Sequence, residues 1–206
     1  MEQTNRWNRT RYRLYAPIYD AVAKPLARGR RRAIERLALE PGDRVLCLGC
    51  GTGADLDYVP AGVAVTAVDI TPSMVERTRA RAETLPLDVE ATVGDAQALE
   101  FSDGAFDAVT LHLVLSVVPD PRAVVAETER VMAPDGRVSI YDKFVRADET
   151  PSLLRRAVNP LARILFSDTT RSLEPLFADT DLEIRDREPF LGGLYTVTSA
   201  VPSGGG

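Results

Sequence analysis

Three glycines within five residues are the part of this sequence that most directly indicates ligand chemistry. Gly49, Gly51 and Gly53 follow the apolar run 45–48 and precede a helix-like segment. Glycine is needed where the backbone must turn sharply and approach a ligand closely. The spacing GxGxG differs from the dinucleotide pattern GxGxxG, and the GK[ST] ending of a phosphate-binding loop is missing. The spacing therefore disfavours both of those sites, and a tight turn without a ligand stays an alternative.

Acidic residues follow the next two apolar runs. Asp69 ends the run that begins at Val63, where a carboxylate can accept hydrogen bonds from both hydroxyls of a ribose. Asp95 follows the run 89–93, where it can accept from the amino group of an adenine. Each residue taken alone could instead cap a helix. Together with the glycines, they indicate three ligand-facing loops at the carboxyl ends of successive strands.

Alternating strand-like and helix-like runs predict the fold that positions these loops. Strands are predicted at 44–48, 63–68, 89–93, 106–112, 137–141, 182–188 and 195–201. Helices are predicted at 28–39 and from points near Ala54, Thr71, Ala96 and Pro121. This order predicts a doubly wound α/β sheet of seven mostly parallel strands, preceded by N-terminal helices. The last two strands, separated by Gly192 and Gly193, predict an antiparallel hairpin.

Length and composition predict one domain. The chain has 206 residues, of which 45% are hydrophobic, which suffices for one core. We expect a helical cap over 1–40 and a sheet core over 41–201. The longest apolar runs reach about half of the ~20 residues that cross a bilayer, and no signal segment opens the chain. A cytoplasmic protein is therefore expected.

The two cysteines of the chain, Cys47 and Cys50, form a CxxC pair. Such a pair could indicate zinc or redox chemistry, but the only histidine is His112 and no second pair exists. We therefore expect no metal, with Cys47 a buried strand residue and Cys50 a loop residue.

Charge is distributed unevenly along the chain. The net charge is -5, yet residues 1–36 contain ten basic and three acidic residues, so that this arm carries +7 and the remainder −12. The asymmetry predicts that the arm contacts an anionic membrane, with a solvated helix face as the alternative. A peripheral position on the inner face of the membrane would follow. The acidic body disfavours nucleic acid as a partner.

Between Leu37 and Ala200 the sequence resembles the class I S-adenosylmethionine (SAM) dependent methyltransferases, which have a Rossmann-like fold. The matching pieces are VLCLGCGTG, VTAVDITPSMVERTRARA, GDAQAL, FDAVTLHLVLSVVPDP and MAPDGRVSIYD. The resemblance implies SAM as the methyl donor and S-adenosylhomocysteine (SAH) as the product. It also implies these cofactor-binding residues: Tyr15, Tyr19, Gly49, Cys50, Gly51, Gly53, Asp69, Ile70, Met74, Asp95, Ala96, His112, Leu113 and Ser116.

A narrower resemblance is to the small bacterial phosphatidylethanolamine N-methyltransferases and the related ubiquinone and menaquinone methyltransferases. It is carried by RLYAPIYD near the start and by SVVPDP after the fourth predicted strand. It implies a membrane-associated acceptor such as the amine headgroup of phosphatidylethanolamine. A quinone or a soluble small molecule is the alternative, and a non-catalytic adenosyl-binding protein is an alternative of another class.

Methyl transfer from a sulfonium is a direct displacement, so holding acceptor and donor in line can supply most of the catalysis. Candidates to present an aromatic face to a cation are Tyr15, Tyr19, Tyr141 and Tyr195, with Tyr19 and Tyr141 predicted as catalytic residues. His112 is predicted as a general base, with a structural role at the strand end as the alternative. Tyr15 and Tyr19 equally fit the core-facing stripe of their helix.

Overall fold

The computed structural model describes residues 24–144 and 172–204. The predicted first helix, with Tyr15 and Tyr19, lies outside these residues. In the described part, no helix is both long and apolar enough to cross a bilayer.

Seven strands form one sheet in the order β3-β2-β1-β4-β5-β7-β6. The strands are β1 (Arg44–Leu48), β2 (Ala64–Asp69), β3 (Asp88–Val93), β4 (Phe106–His112), β5 (Met132–Asp142), β6 (Leu182–Phe190) and β7 (Tyr195–Pro202). All pairs from β3 to β5 are parallel, and β7 is antiparallel to both β5 and β6. The predicted mostly parallel sheet with a terminal hairpin is confirmed, and six strands run in one direction.

The central strands are apolar because both of their faces are covered. Along β1, Val45 and Cys47 belong to one core cluster, whereas Leu46 and Leu48 belong to another. Side chains alternate between the faces of a strand, so a strand buried on both sides reads as a continuous apolar run. The sheet therefore separates two cores.

Within residues 24–144 and 172–204, three α-helices cover the sheet: α1 (Ala27–Glu35), α2 (Pro72–Ala82) and α3 (Pro121–Val131). The carboxylate of Asp120 accepts hydrogen bonds from two main-chain amides at the start of α3, and thus caps the helix. The predicted helices near Thr71 and Pro121 are confirmed. Helix α1 ends before the predicted Leu39, because Ala38 adopts a left-handed φ of 45° ahead of Pro41.

Two predicted helices are wrong. Near Ala54 the chain forms only a 3-10 turn, Leu56–Tyr58, because the preceding Asp55 is drawn into a buried ion pair. Near Ala96 the carboxylate of Asp95 accepts a hydrogen bond from the amide of Gln97, which closes a local turn in place of a helix.

Strand β5 is longer than predicted. It begins at Met132, which pairs with Phe106, and a bulge follows before Arg137 pairs with Ala108. The segment before Arg137 contains a proline and a glycine, a composition that is typical of a turn, and this hid the first part of the strand.

Helix α1 lies close to β5 at Gly29. A Cβ atom added at Gly29 would overlap with the ring of Tyr141, so we expect Gly29→Ala to lower the free energy of unfolding by about 1–3 kcal/mol. Urea denaturation measures this change. The exposed neighbour Arg28→Ala is the control and should stay within about 0.5 kcal/mol of the wild type. Equal stability of the two variants would contradict this packing.

Candidate functional site

The glycine loop follows β1 directly. Gly49, Gly51 and Gly53 have φ values of 65°, 57° and 73°, in the left-handed region that glycine adopts most readily. A Cβ atom at Gly49 would also lie only 2.8 Å from Cγ2 of Val114. The loop therefore needs glycine for its backbone angles, and at Gly49 also for a close approach.

Asp69 ends β2 and holds the glycine loop in place. One of its carboxylate oxygens accepts a hydrogen bond from the amide of Gly51 at 2.9 Å, and the other accepts from the amide of Thr71 at 2.8 Å. Burial raises the pKa of Asp69 above its ordinary value, and these two amides act in the opposite direction. A carboxylate has about four acceptor positions, so the described contacts leave capacity for the hydroxyls of a ligand.

A cleft with about 710 Å³ of empty space opens at the carboxyl ends of β1 to β4. Nine of the predicted cofactor-binding residues line it: Gly49, Gly51, Asp69, Ile70, Met74, Asp95, Ala96, His112 and Leu113. The sequence analysis did not assign a further seven: Val68, Gly94, Gln97, Val114, Val117, Val118 and Pro119. Several of these lie in the apolar run after β4, whose position at the same sheet edge was the available signal.

Three predicted cofactor-binding residues lie outside the lining of the cleft. The thiol of Cys50 is buried and accepts a hydrogen bond from Oγ1 of Thr78 at 3.4 Å. Gly53 faces Leu56 and Thr78, and the amide of Ser116 donates to Asp142. Each of the three contacts the protein interior, and a role in cofactor binding stays a prediction for them.

Both cysteines are free and buried. Burial is the main cause that raises the pKa of Cys47, to about 12, and the pKa of Cys50 is also raised. Neither thiol has the low pKa that a reactive cysteine needs.

A chain of buried polar groups lies beneath the glycine loop. Oδ1 of Asp55 is 2.9 Å from Nη1 of Arg30 and 3.1 Å from Nδ1 of His112. Nε2 of His112 is 3.1 Å from Oγ of Ser139, which donates to the carbonyl of Ala33 at 2.9 Å. Because Ser139 has one hydroxyl proton, Nε2 of His112 is the donor in their hydrogen bond.

This arrangement changes the role expected for His112. Its side chain is 1% exposed, and both ring nitrogens face buried partners. With both nitrogens facing buried partners, the ring connects β4 to the polar chain, and a general-base role stays a prediction that this geometry does not favour. The structural alternative stated from the sequence agrees with this geometry.

Asp55 is the centre of the buried chain. Burial alone would raise the pKa of its carboxyl, but Arg30 and His112 more than offset this effect and hold the pKa below its ordinary range. This group could not be found from the sequence, where Arg30 counted as part of a basic arm and Asp55 as part of the helix predicted near Ala54. Nothing in the local pattern connects two residues that are 25 positions apart.

Tyr141 was predicted as a catalytic residue, but it is fully buried and does not line the cleft. Its ring packs beside Phe190 and Tyr195, with centroid distances of 6.3 Å and 5.6 Å. This position does not favour contact between Tyr141 and substrate, and a catalytic role for it stays a prediction. Its place is at the base of an aromatic cluster.

We call this cluster the aromatic corner: Tyr141, Phe190 and Tyr195, with Leu113 and Lys143 beside them. Leu113 packs against Tyr141 and also lines the cleft, so the corner and the cleft are neighbours. Nζ of Lys143 lies 5.5 Å from the ring centroid of Tyr195. Burial lowers the pKa of Lys143, and Asp142 opposes this effect.

The fold and site have the features of an adenosyl-binding methyltransferase, and comparisons with known proteins agree. Residues 46–140 match the family described as "Methyltransferase domain". The chain is 33% identical to phosphatidylethanolamine N-methyltransferase of Cereibacter sphaeroides, over 87% of this chain and 90% of that protein. It is 30% identical to demethylmenaquinone methyltransferase of Renibacterium salmoninarum, over 76% of this chain and 73% of that protein.

Comparison with solved structures indicates the same fold. A chain from a Haloferax volcanii complex that includes a methyltransferase activator aligns with a TM-score of 0.76 at 20% identity, over 94% of this chain and 96% of its own. The chain belongs to the class I SAM-dependent methyltransferases, and it is an enzyme of that class. Family membership favours catalysis over the non-catalytic alternative.

The residues of the cleft fit SAM. When bound, SAM supplies an electrophilic methyl group on a sulfonium. The glycine loop offers close backbone approach, Asp69 has acceptor capacity for two hydroxyls, and Ile70 with Met74 provides an apolar wall. The carboxylate of Asp95 is oriented by two hydrogen bonds from Gln97.

Replacing Asp69 by Asn tests its role. An amide has one acceptor oxygen, so we expect Asp69→Asn to weaken SAH binding about tenfold or more. Wild-type affinity should fall as the pH decreases, and the fall should begin at a higher pH than for an exposed aspartate, because burial raises the pKa of Asp69. The variant should lack this dependence.

Calorimetric titration with SAH across pH measures both effects. Asp88→Asn is the control, because Asp88 is exposed at the opposite end of β3. Unchanged affinity in Asp69→Asn would show that Asp69 only shapes the loop.

Breaking the buried ion pair tests the polar chain. Arg30→Met leaves the carboxylate of Asp55 without its guanidinium partner, and we expect a loss of about 3–5 kcal/mol in unfolding free energy. The low pKa of Asp55 stabilises the fold above the ordinary aspartate range, and this stability is lost as the pH falls through the lowered pKa. In Arg30→Met the loss should move to higher pH.

Denaturant titration at several pH values measures this change. Arg31→Met is the matched control, because the exposed pair of Arg31 with Glu35 should contribute at most about 0.5 kcal/mol. A similar loss in both variants would mean that the buried pair contributes no more than a surface pair.

Proposed function

We propose that the enzyme methylates the amine of a membrane-lipid headgroup, with phosphatidylethanolamine as the acceptor. The observation that carries this proposal is the ammonium group of Lys143 over the ring of Tyr195, in a corner adjoining the cleft. An aromatic face attracts ammonium ions, including methylated ones. An aromatic corner that attracts one ammonium group would also suit a substrate amine and its more methylated products.

Desolvation in the aromatic corner favours the reactive form of an amine. An ammonium has no lone pair, so the acceptor nitrogen must lose a proton before it can attack a methyl group. Burial lowers the pKa of Lys143 in this corner, and it would act in the same direction on a substrate amine held beside it. The corner can therefore favour the neutral nucleophile without a dedicated base.

Among the described residues, we expect most of the catalysis to come from positioning the acceptor against the methyl donor. The chemical step requires the acceptor atom in line with the methyl group, and the walls of the cleft and corner determine this alignment. Leu113 stands between the two with a φ of 59°, and its amide donates to the carbonyl of Tyr141 at 2.8 Å. A strained backbone at such a junction is typical of a functional site.

The comparisons support the same acceptor. The Cereibacter sphaeroides relative is named for phosphatidylethanolamine methylation, and the similarity extends over most of both chains. A contact between the first 23 residues and the membrane stays a prediction, as does the role of Tyr19, because these residues lie outside the described part.

The direct test is methyl transfer to lipid vesicles. Purified enzyme with SAM should convert phosphatidylethanolamine in mixed vesicles to its mono-, di- or trimethylated forms, measured by mass spectrometry. Phosphatidylglycerol vesicles without amine lipid are the control. SAH binding without any methylated lipid would overturn the proposed acceptor and leave the enzyme class intact.

Variants of Tyr195 test the aromatic corner. Tyr195→Leu removes the aromatic face, and we expect about a 2- to 30-fold loss in kcat/KM for the amine lipid. Tyr195→Phe keeps the face and should retain most of the activity. SAH affinity should be unchanged in both, because Tyr195 does not line the cleft. Equal activity of the two variants would remove the corner from the acceptor site.

A quinone is the second candidate acceptor. The relative from Renibacterium salmoninarum is named as a demethylmenaquinone methyltransferase, and its similarity covers 76% of this chain. A parallel assay with a demethylmenaquinone distinguishes the candidates. Turnover of the quinone with no turnover of the amine lipid would select carbon methylation.

A further inference from the structure

The large exposed apolar side chains of the described residues lie at one edge of the sheet, the edge formed by the carboxyl ends of its parallel strands. These side chains are Val93, Leu191 and Leu194, with exposed fractions of 48%, 52% and 41%. Val93 ends β3, and the two leucines lie in the turn between β6 and β7. Because β6 runs in the same direction as β1 to β5, this turn is at the edge where the cleft opens.

The turn between β6 and β7, residues 191–194, has the sequence Leu-Gly-Gly-Leu. It is a formed turn, because the amides of Gly193 and Leu194 donate to the carbonyls of Phe190 and Leu191 at 3.1 Å and 3.3 Å. Turns exposed to water are usually polar, whereas this one presents two leucines, and residues 189–206 contain no charged side chain. An uncharged apolar turn suits an apolar environment.

Basic groups stand beside this turn. The start of α1 lies at the same edge, since Gly29 meets Tyr141 while Ala33 meets Ser139 nearer the middle of β5. Arg28 is exposed there, and Lys143 lies over Tyr195. This edge therefore carries both apolar and cationic side chains, the combination that favours binding to an anionic lipid surface.

Most acidic side chains at this edge form ion pairs or hydrogen bonds within the protein or lie in the cleft. Glu188 precedes the turn, and Oε2 of its carboxylate is 3.0 Å from Arg32 and 2.9 Å from Arg36. Asp142 accepts hydrogen bonds from the amides of Ser116 and Lys143. Asp69 and Asp95 lie within the cleft.

We propose that the turn 191–194 inserts its two leucines into the headgroup and acyl boundary of an anionic bilayer. The opening of the cleft and the aromatic corner would then face the membrane, so that a lipid headgroup reaches them without leaving the bilayer. This inference rests on the proposed lipid acceptor for its purpose. The docking itself can be measured without that acceptor.

Tryptophan placed in the turn reports insertion. Trp7 is the only tryptophan of the chain, so Leu194→Trp in a Trp7→Phe background gives a single probe. On vesicles of phosphatidylcholine and phosphatidylglycerol, we expect its emission to shift to the blue and to be quenched by lipids brominated in the upper acyl chain. Ala61→Trp in the same background is the matched control, because Ala61 is exposed in the turn before β2, at the opposite edge, and should show neither effect.

Loss of the leucines should weaken docking. We expect Leu191→Ser with Leu194→Ser to lower the vesicle partition coefficient about tenfold or more, and Leu191→Met with Leu194→Met to keep it near the wild-type value. Co-sedimentation with the same vesicles measures this. Unshifted emission of the Leu194→Trp probe on protein that sediments with vesicles, or equal partition of both double variants, would overturn the proposal. Absence of any vesicle binding would also overturn it.

Activity separates this inference from the acceptor proposal. On a water-soluble, short-chain phosphatidylethanolamine the double serine variant should turn over like the wild type, because its leucines do not line the cleft. Insertion of the turn without methylation of any amine lipid would refute only the acceptor. Methylation in vesicles that is equal in the serine and methionine variants would refute only the docking.

Discussion

The shape of the site depends most on the buried contacts of the Asp55 carboxylate. This carboxylate lies in the turn after the glycine loop and faces Arg30 from α1 and His112 from β4. His112 in turn binds Ser139 of β5, whose hydroxyl returns to the backbone of α1. Four separate segments therefore meet through one buried charge, and the loop that carries the cofactor-facing glycines cannot move independently of helix α1.

Two aspartates near the glycine loop have opposite environments. Asp55 faces the guanidinium of Arg30, and its pKa is lowered in spite of burial. Asp69 receives two main-chain amides, and burial raises its pKa. Asp55 is buried and does not line the cleft, whereas Asp69 lines it and can still accept hydroxyls of a ligand. The same residue type thus fixes the loop at one position and remains available to a ligand at the other.

The parts of the site that could be predicted from sequence were those fixed by local patterns. The strands are apolar because both faces are buried, and the loops at their ends carry Gly49, Asp69 and Asp95 within short motifs. The helices near Ala54 and Ala96 were wrong because side chains there bind distant or local polar groups instead. Contacts such as Arg30 with Asp55 depend on the packing of α1, which no local pattern encodes.

The topology of the sheet determines which groups lie near the cleft. The carboxyl ends of parallel strands lie at the same edge of a sheet. The cleft, the aromatic corner and the turn 191–194 are all at this edge and therefore face the same direction. Because β7 runs antiparallel to β5, its first residue, Tyr195, lies at that edge. In a parallel strand the last residue would lie there. The antiparallel hairpin therefore supplies both an aromatic wall and an apolar turn beside the cofactor cleft. The cleft for the methyl donor thus shares one edge with apolar and basic side chains. A lipid headgroup at this edge would have a short distance to cover between the bilayer and the methyl donor.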